Sequence, residues 1–145
     1  MDIELKKIKV SASLSRETTA YTAEIWIDGV KRGTVENHGT GGSDCIFPHA
    51  LEEEINDYAA ALPTINRYGL EFIQDASVIF ADIIEKHLNT KKLTRMLRSK
   101  IVMTKDGKLY SCKTMPAPKQ LEGFTVLNNM SFDDAFRVFE KCLEQ

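Results

Sequence analysis

The sequence predicts an α+β fold, in which an antiparallel sheet made of an N-terminal meander and a later hairpin has helices packed on one face. Three observations support this. Apolar residues alternate along the first third, two Asp-Gly pairs mark tight hairpin turns, and later apolar residues recur at helical spacing. The chain has 145 residues, of which 43% are hydrophobic and 28% charged. Size and composition therefore exclude disordered and collagen-like proteins, and predict a single compact domain over 1–145.

The first segment, about 3–47, is predicted to be a β-meander. Apolar residues stand at alternate positions in two runs, as in half-buried strands: Ile8, Val10, Ala12 and Leu14, then Tyr21, Ala23, Ile25 and Ile27. Asp28-Gly29 predicts a two-residue turn, because glycine accepts the positive φ that the turn requires. Residues 30–36 would form the return strand, and 44–47 a short fourth strand.

The second segment, about 48–98, is predicted to be helical. Pro48 suits the first position of a helix, which ends before Pro63. Its inward residues recur at helical spacing: Leu51, Ile55, Tyr58 or Ala59, and Leu62. The longest helix is predicted over 70–88 by a second apolar stripe, which comprises Phe72 or Ile73, Ala76, Ile79 or Phe80, and Ile83 or Ile84. A separate basic helical stretch follows at 90–98.

The third segment, about 99–144, is predicted to contain a hairpin and a C-terminal helix. Strands over 101–104 and 109–113 flank the turn Asp106-Gly107. A proline-containing linker at 115–118 and a last strand at 124–127 follow. Ser131, three residues before Asp134, is typical of a helix N-terminus. That helix would turn inward Phe132, Ala135 or Phe136, Phe139, and Cys142 or Leu143.

Charge is segregated along the chain. Residues 1–85 hold 7 Lys or Arg and 15 Asp or Glu, residues 86–119 hold 10 and 1, and residues 120–145 hold 2 and 5. In one interpretation the basic segment packs beside the acidic one and is neutralised. In the other it forms an exposed face that binds phosphates or an acidic protein. The candidate contact residues of this face are Lys91, Lys92, Arg95, Arg98 and Lys100.

A glycine-rich loop is the second candidate binding site. It consists of Asn37, His38, Gly39, Thr40, Gly41 and Gly42. Glycines let successive backbone N–H groups converge into a nest for a phosphate or carboxylate. The loop matches neither the Walker pattern nor G-x-G-x-x-G. The alternative is that the glycines merely permit a tight connection between strands.

Catalysis, metal binding and cofactor binding have weaker support. A metal site could be composed from His38, Asp44, Cys45 and His49, but these residues lack the close Cys and His pairs of zinc sites. Two catalytic arrangements are conceivable. Cys45 and His49 could act as nucleophile and base, or Cys45 or His38 could act with a carboxylate in a small hydrolase. Neither arrangement has a supporting motif. We therefore expect no catalytic residue, no metal and no cofactor.

The location is predicted from the cysteines, the N-terminus and the apolar runs. Cys45, Cys112 and Cys142 are expected to be free thiols in the cytosol. No apolar run is long enough for a membrane span, and the charged N-terminus does not suit a signal peptide. A chain with acidic and basic segments can also associate with itself head to tail.

Residues 15–42 resemble an N-terminal module of small proteins encoded by phages and other bacterial mobile elements. The shared residues are Glu17-Thr18-Thr19, Asp28-Gly29, Gly33 and the Asn37-x-Gly-x-Gly-Gly42 pattern. The resemblance carries over no site residue. It implies an accessory protein in the cytosol of a bacterial host that inhibits host defence, such as an anti-CRISPR protein, by binding a protein or nucleoprotein complex. The alternative is a sponge that sequesters a nucleotide or cyclic nucleotide through the loop.

Overall fold

The computed structural model describes residues 1–144 and confirms the α+β class. The described residues form three α-helices and nine strands. The chain divides into two compact units, Met1–Ile84 and Glu85–Gln145. This division does not test the prediction of a single domain over 1–145, which stays a prediction. The N-terminal meander and the later hairpin are both present and belong to separate sheets.

The first unit contains the predicted meander as a four-stranded antiparallel sheet. Its strands, in sheet order, are β1 (Ile3–Ser11), β2 (Ala20–Ile27), β3 (Val30–Asn37) and β4 (Cys45–Phe47). In β2 the alternate residues Tyr21, Ala23, Ile25 and Ile27 are buried, as predicted. β1 begins earlier than predicted, because Leu5 contributes to the core while Ala12 and Leu14 lie exposed beyond its end.

The helix α1 (His49–Ala60) follows the meander. Pro48, which was predicted to be the first helical residue, is instead the N-cap, and the helix begins one residue later at His49. The inward residues Leu51, Ile55 and Ala59 are buried. The sequence predicted that either Tyr58 or Ala59 would face inward, and Ala59 does so. The Tyr58 hydroxyl instead donates to the Met1 carbonyl at 3.2 Å.

The prediction of a helix over 70–88 is wrong at its start. Ile65–Arg67 (β5) and Leu70–Phe72 (β6) form a small hairpin, because Tyr68 and Gly69 both adopt positive φ and make a tight turn. α2 (Ala76–Ser99) begins only after Asp75, whose side chain accepts a hydrogen bond from Val78 N at 3.0 Å.

The apolar stripe and the extent of α2 are corrected as well. Ala76, Phe80 and Ile84 are buried as predicted, whereas Phe72 and Ile73 precede the helix and are exposed. The helix continues without a break through residue 89, so the predicted basic stretch at 90–98 is its C-terminal half. Two elements predicted as separate are therefore one helix.

The second unit combines that half of α2 with β7 (Ile101–Lys105), β8 (Lys108–Cys112), β9 (Thr125–Val126) and α3 (Phe132–Leu143). The strands form an antiparallel sheet in the order β8-β7-β9. The predicted hairpin is confirmed, and Ser131 caps α3 by accepting from Asp134 N at 3.3 Å. The core of this unit consists of Leu93, Val102, Leu127, Ala135, Phe136 and Phe139.

Asn128 joins the elements of the second unit. Its side-chain oxygen accepts from Val102 N at 2.8 Å, and its side-chain nitrogen donates to the Lys100 carbonyl at 2.9 Å. The amide therefore satisfies a backbone group after α2 and another at the start of β7. The predicted last strand at 124–127 is present only as the two-residue β9, and a 3-10 turn at Pro118–Leu121 begins at the last residue of the predicted linker.

Candidate functional site

The glycine-rich loop is organised around the side chain of Asn37. Its oxygen accepts from Thr18 Oγ1 at 2.9 Å and from Gly39 N at 2.8 Å. Its nitrogen donates to the Gly42 carbonyl at 3.2 Å and to Asp44 Oδ1 at 3.0 Å. One amide therefore joins both ends of the loop to the segment that precedes β2.

The nest at this site is made by residues 16–18 rather than by the glycines. The backbone N–H groups of Arg16, Glu17 and Thr18 converge on the carbonyl oxygen of Gly39, at 3.0, 3.0 and 3.4 Å. The N–H of Gly41 in turn donates to Thr18 Oγ1 at 3.4 Å. The amides of Gly39 and Gly41 are thus already hydrogen-bonded within the chain. This arrangement favours a structural role for the loop over the predicted anion nest.

Two glycines of the loop are required by its geometry. Gly39 has φ +79°, and a Cβ there would collide with the Leu14 carbonyl. Gly41 has φ +90° and lies against the carboxylate of Glu17. Gly42, by contrast, has open space around it. The glycines therefore let the loop pack closely against residues 14–20.

Tyr21 lies beside this loop and has an unusual environment. Its hydroxyl is buried and forms no hydrogen bond among the described residues. Burial raises the pKa of this phenol, and the nearby Asp44 carboxylate raises it further. The hydroxyl therefore stays protonated through the physiological pH range. An open groove of about 280 Å³ runs past Lys9, Tyr21, Asn37 and His38.

The residues considered for metal binding or nucleophilic catalysis have other neighbours. His38 Nε2 lies 3.7 Å from Glu36, and His49 Nδ1 lies 3.3 Å from Glu52. Cys45 Sγ contacts the Ser43 carbonyl at 4.0 Å. Within residues 1–144, no group of three or more His, Cys, Asp and Glu side chains could hold a metal ion. Over the same residues, no helix has the length and apolar character needed to cross a membrane.

The basic segment 86–119 is exposed. All ten of its cationic side chains are exposed, and none forms an ion pair with a carboxylate among residues 1–144. They are Lys86, Lys91, Lys92, Arg95, Arg98, Lys100, Lys105, Lys108, Lys113 and Lys119. In the first unit, by contrast, Lys31 pairs with Glu24 at 2.9 Å and Arg32 with Glu54 at 2.7 Å.

Three of these cations form a stripe along α2. At 3.6 residues per turn, Lys91, Arg95 and Arg98 fall within about 60° of the helix circumference. The opposite side carries Leu93, which is fully buried, and Met96 and Leu97, which pack on the core of the second unit. Core packing therefore turns the stripe toward solvent. We call Lys91, Lys92, Arg95, Arg98 and Lys100 the basic helix face.

The charge segregation coincides with the division into units. Residues 1–84 hold 7 Lys or Arg and 14 Asp or Glu, a net charge of −7, and residues 85–145 hold 12 and 7, a net charge of +5. The basic helix face thus lies in a unit that is itself positive. A polyanion is attracted by both the local and the wider field.

The second unit contains an aromatic pair that was not predicted from the sequence. Tyr110 on β8 forms an edge-to-face pair with Phe124, with ring centroids 5.3 Å apart. Lys105 Nζ lies 5.1 Å from the centre of the Phe124 ring. The two aromatic residues are far apart in sequence, and the turn Asp106-Gly107, which pairs β7 with β8, was the available signal.

Searches of protein-family models, of curated proteins and of solved structures found no match to this chain.

Proposed function

We propose that the protein acts by binding, and that its basic helix face contacts the phosphate backbone of a nucleic acid within a nucleoprotein target. The observation that carries this proposal is the exposed stripe of Lys91, Arg95 and Arg98, which has no carboxylate partner among residues 1–144. An unpaired surface cation contributes little to the stability of the free protein and is available to bind a phosphate.

The spacing of the stripe suits a polyanion better than a single small anion. Lys91 to Arg98 spans about 10 Å of helix axis, at about 1.5 Å per residue. Duplex DNA presents one negative charge per about 1.7 Å, so several phosphates lie within that length. Arginine can also hold a phosphate through two parallel hydrogen bonds.

The proposal includes a biological role. The resemblance of residues 15–42 to a module of phage and mobile-element proteins supports a role as an inhibitor of host defence. Such an inhibitor would bind the phosphate backbone of the nucleic acid in a defence complex and so block the complex. The proposed target is thus a nucleoprotein effector in the host cytosol, as for an anti-CRISPR protein.

Salt-dependent binding of a labelled DNA duplex tests the proposal. We expect the double variant Arg95→Glu/Arg98→Glu to bind more weakly than the wild type between about 50 and 200 mM salt. The slope of log affinity against log salt should become shallower by about 2, because each lost phosphate contact contributes about 0.9. The matched control is Arg16→Glu/Arg67→Glu, which makes the same charge change at two exposed arginines of the first unit.

The control should retain the wild-type slope. An unchanged slope in the Arg95/Arg98 variant, or an equal change in both variants, would refute the assignment of phosphate contacts to this face. In a bacterial host, protection of a phage against a defence system should be lost in the first variant and kept in the second. If both variants protect the phage, the biological role does not depend on the basic helix face.

A further inference from the structure

We infer that the outer face of the β7–β8 hairpin binds single-stranded nucleic acid by stacking a base on Tyr110. This surface is separate from the basic helix face and goes beyond the proposed function, which needs only phosphate contacts. The ligand class is defined by two chemical properties, a flat base and a negatively charged backbone. Both have counterparts on this face.

The register of the hairpin places the relevant residues on one face. Met103 pairs with Tyr110 and Lys105 pairs with Lys108, so these four side chains lie on the same side of the sheet. Val102 and Leu109 alternate with them and belong to the core of the second unit. The Tyr110 face is therefore the one directed away from the core.

Tyr110 supplies the flat surface. Its cross-strand neighbour Met103 is 5% exposed, whereas 45% of Tyr110 itself remains exposed. Phe124 meets it at an interplanar angle of 85° and holds the ring in place. Because Lys105 already lies over the Phe124 ring, Tyr110 is the ring of this pair that a base can reach.

The charge around the pair suits the nucleic-acid backbone. Lys105 and Lys108 flank Tyr110 on its own face, and Lys113 and Lys119 follow in the same segment, all exposed. The acids of residues 101–124 are Asp106 and Glu122. None of the four lysines forms an ion pair among residues 1–144. Aromatic side chains beside unpaired cations are the combination that single-strand binding requires.

A single strand fits this face better than a duplex. Bases in a duplex stack on each other, whereas those of a single strand can turn out and stack on a protein ring. One exposed tyrosine can take one base. We therefore expect a base-dependent contribution to binding that does not extend to duplex DNA.

The test measures binding of three probes by fluorescence anisotropy. They are an oligothymidylate of about 20 nucleotides, an abasic strand of the same length, and a duplex of the same length; a length of about 20 exceeds the roughly 4–16 nucleotides that one binding module covers. The proteins are the wild type, Tyr110→Ala, Tyr110→Phe and Tyr68→Ala. Tyr68 is a matched control, since it is a tyrosine of the acidic unit and is 99% exposed.

The wild type should bind oligothymidylate at least about fivefold more tightly than the abasic strand, which corresponds to the lower end of the stacking contribution of one base. Tyr110→Ala should abolish that preference and leave duplex binding unchanged. Tyr110→Phe and Tyr68→Ala should keep the preference. Rescue by phenylalanine shows that the ring, rather than the hydroxyl, is responsible.

Two results would overturn the inference. One is a wild type that binds the abasic strand as tightly as oligothymidylate. The other is a Tyr110→Ala protein that keeps the preference for oligothymidylate over the abasic strand. Neither result affects the salt-slope test of Arg95 and Arg98, so failure here is distinguishable from failure of the proposed function.

Discussion

Replacement of Asn37 by alanine should destabilise the first unit strongly for a loop residue. The side chain forms four hydrogen bonds, two through its oxygen and two through its nitrogen. Three of them are partly buried, and they connect residues before β2 with residues before β4. After their loss, the loop would be joined to the segment that contains Thr18 only through the Gly39 carbonyl and the Gly41 N–H.

The expected magnitude follows from these four contacts. A hydrogen bond contributes about 0.5–1.5 kcal/mol net, and more is lost where a partly buried partner such as Gly39 N is left unsatisfied. Because the bond to the Gly42 carbonyl is exposed, it contributes at the lower end of that range. We therefore expect Asn37→Ala to lower the free energy of unfolding by about 2–3 kcal/mol.

Urea unfolding followed by fluorescence of Trp26 measures this change, since Trp26 is the single tryptophan of the chain and lies on β2. A double-mutant cycle with Thr18→Val isolates one interaction of the network. Thr18 donates to Asn37 and accepts from Gly41 N, so the two substitutions should be non-additive by about 1 kcal/mol.

A loss below about 0.5 kcal/mol in Asn37→Ala would refute the reasoning, because such a value is typical of an exposed surface residue without structural contacts. Strict additivity with Thr18→Val would refute the specific link between the two side chains. A loss that small would show that the hydrogen bonds of Asn37 do not hold the loop in place, and the nucleotide-sponge alternative would gain support.

Two further predictions concern the same region. Gly39→Ala should lower the urea midpoint markedly, because φ is +79° and the new Cβ would collide with the Leu14 carbonyl, whereas Gly42→Ala should leave it nearly unchanged; equal effects would contradict the close packing. Tyr21→Phe should keep full stability at neutral pH and resist alkaline unfolding. The raised pKa of the native phenol means that the unfolded state loses its proton first, so stability falls more steeply above about pH 10 in the wild type than in Tyr21→Phe. Urea midpoints from pH 8 to 11 would show this, and parallel curves for the two proteins would contradict it.

Local signals in the sequence determined the turns and the inner face of the meander. Asp28-Gly29 forms its turn because the two residues themselves accept positive φ, at +51° and +82°. Ser131 caps α3 for an equally local reason. Period-two alternation in β2 also identified the buried face, since side chains on a strand point alternately to its two sides.

The hairpin at residues 65–72 shows where local signals are insufficient. The apolar residues from Leu70 to Ile73 suit the start of a helix as well as a short strand, because so short a run has no clear period. The positive φ of Tyr68 and Gly69 makes the turn, and the Asp75 side chain starts α2 later. A helix and a hairpin over these residues therefore differ by only a few contacts, and the period of the apolar residues does not reveal those contacts.

The sequence by itself determined that residues 86–119 are basic and that a glycine-rich loop follows β3. Only the tertiary structure decided what these features contact. Thr18 meets Asn37 across 19 positions, and Tyr110 meets Phe124 because β8 and β9 both pair with β7. Whether a cation is neutralised likewise depends on which carboxylate the fold brings near it, as for Arg32 and Glu54. Hydrogen bonds, ion pairs and ring contacts act over a few ångströms in space, so separation along the chain does not reveal them.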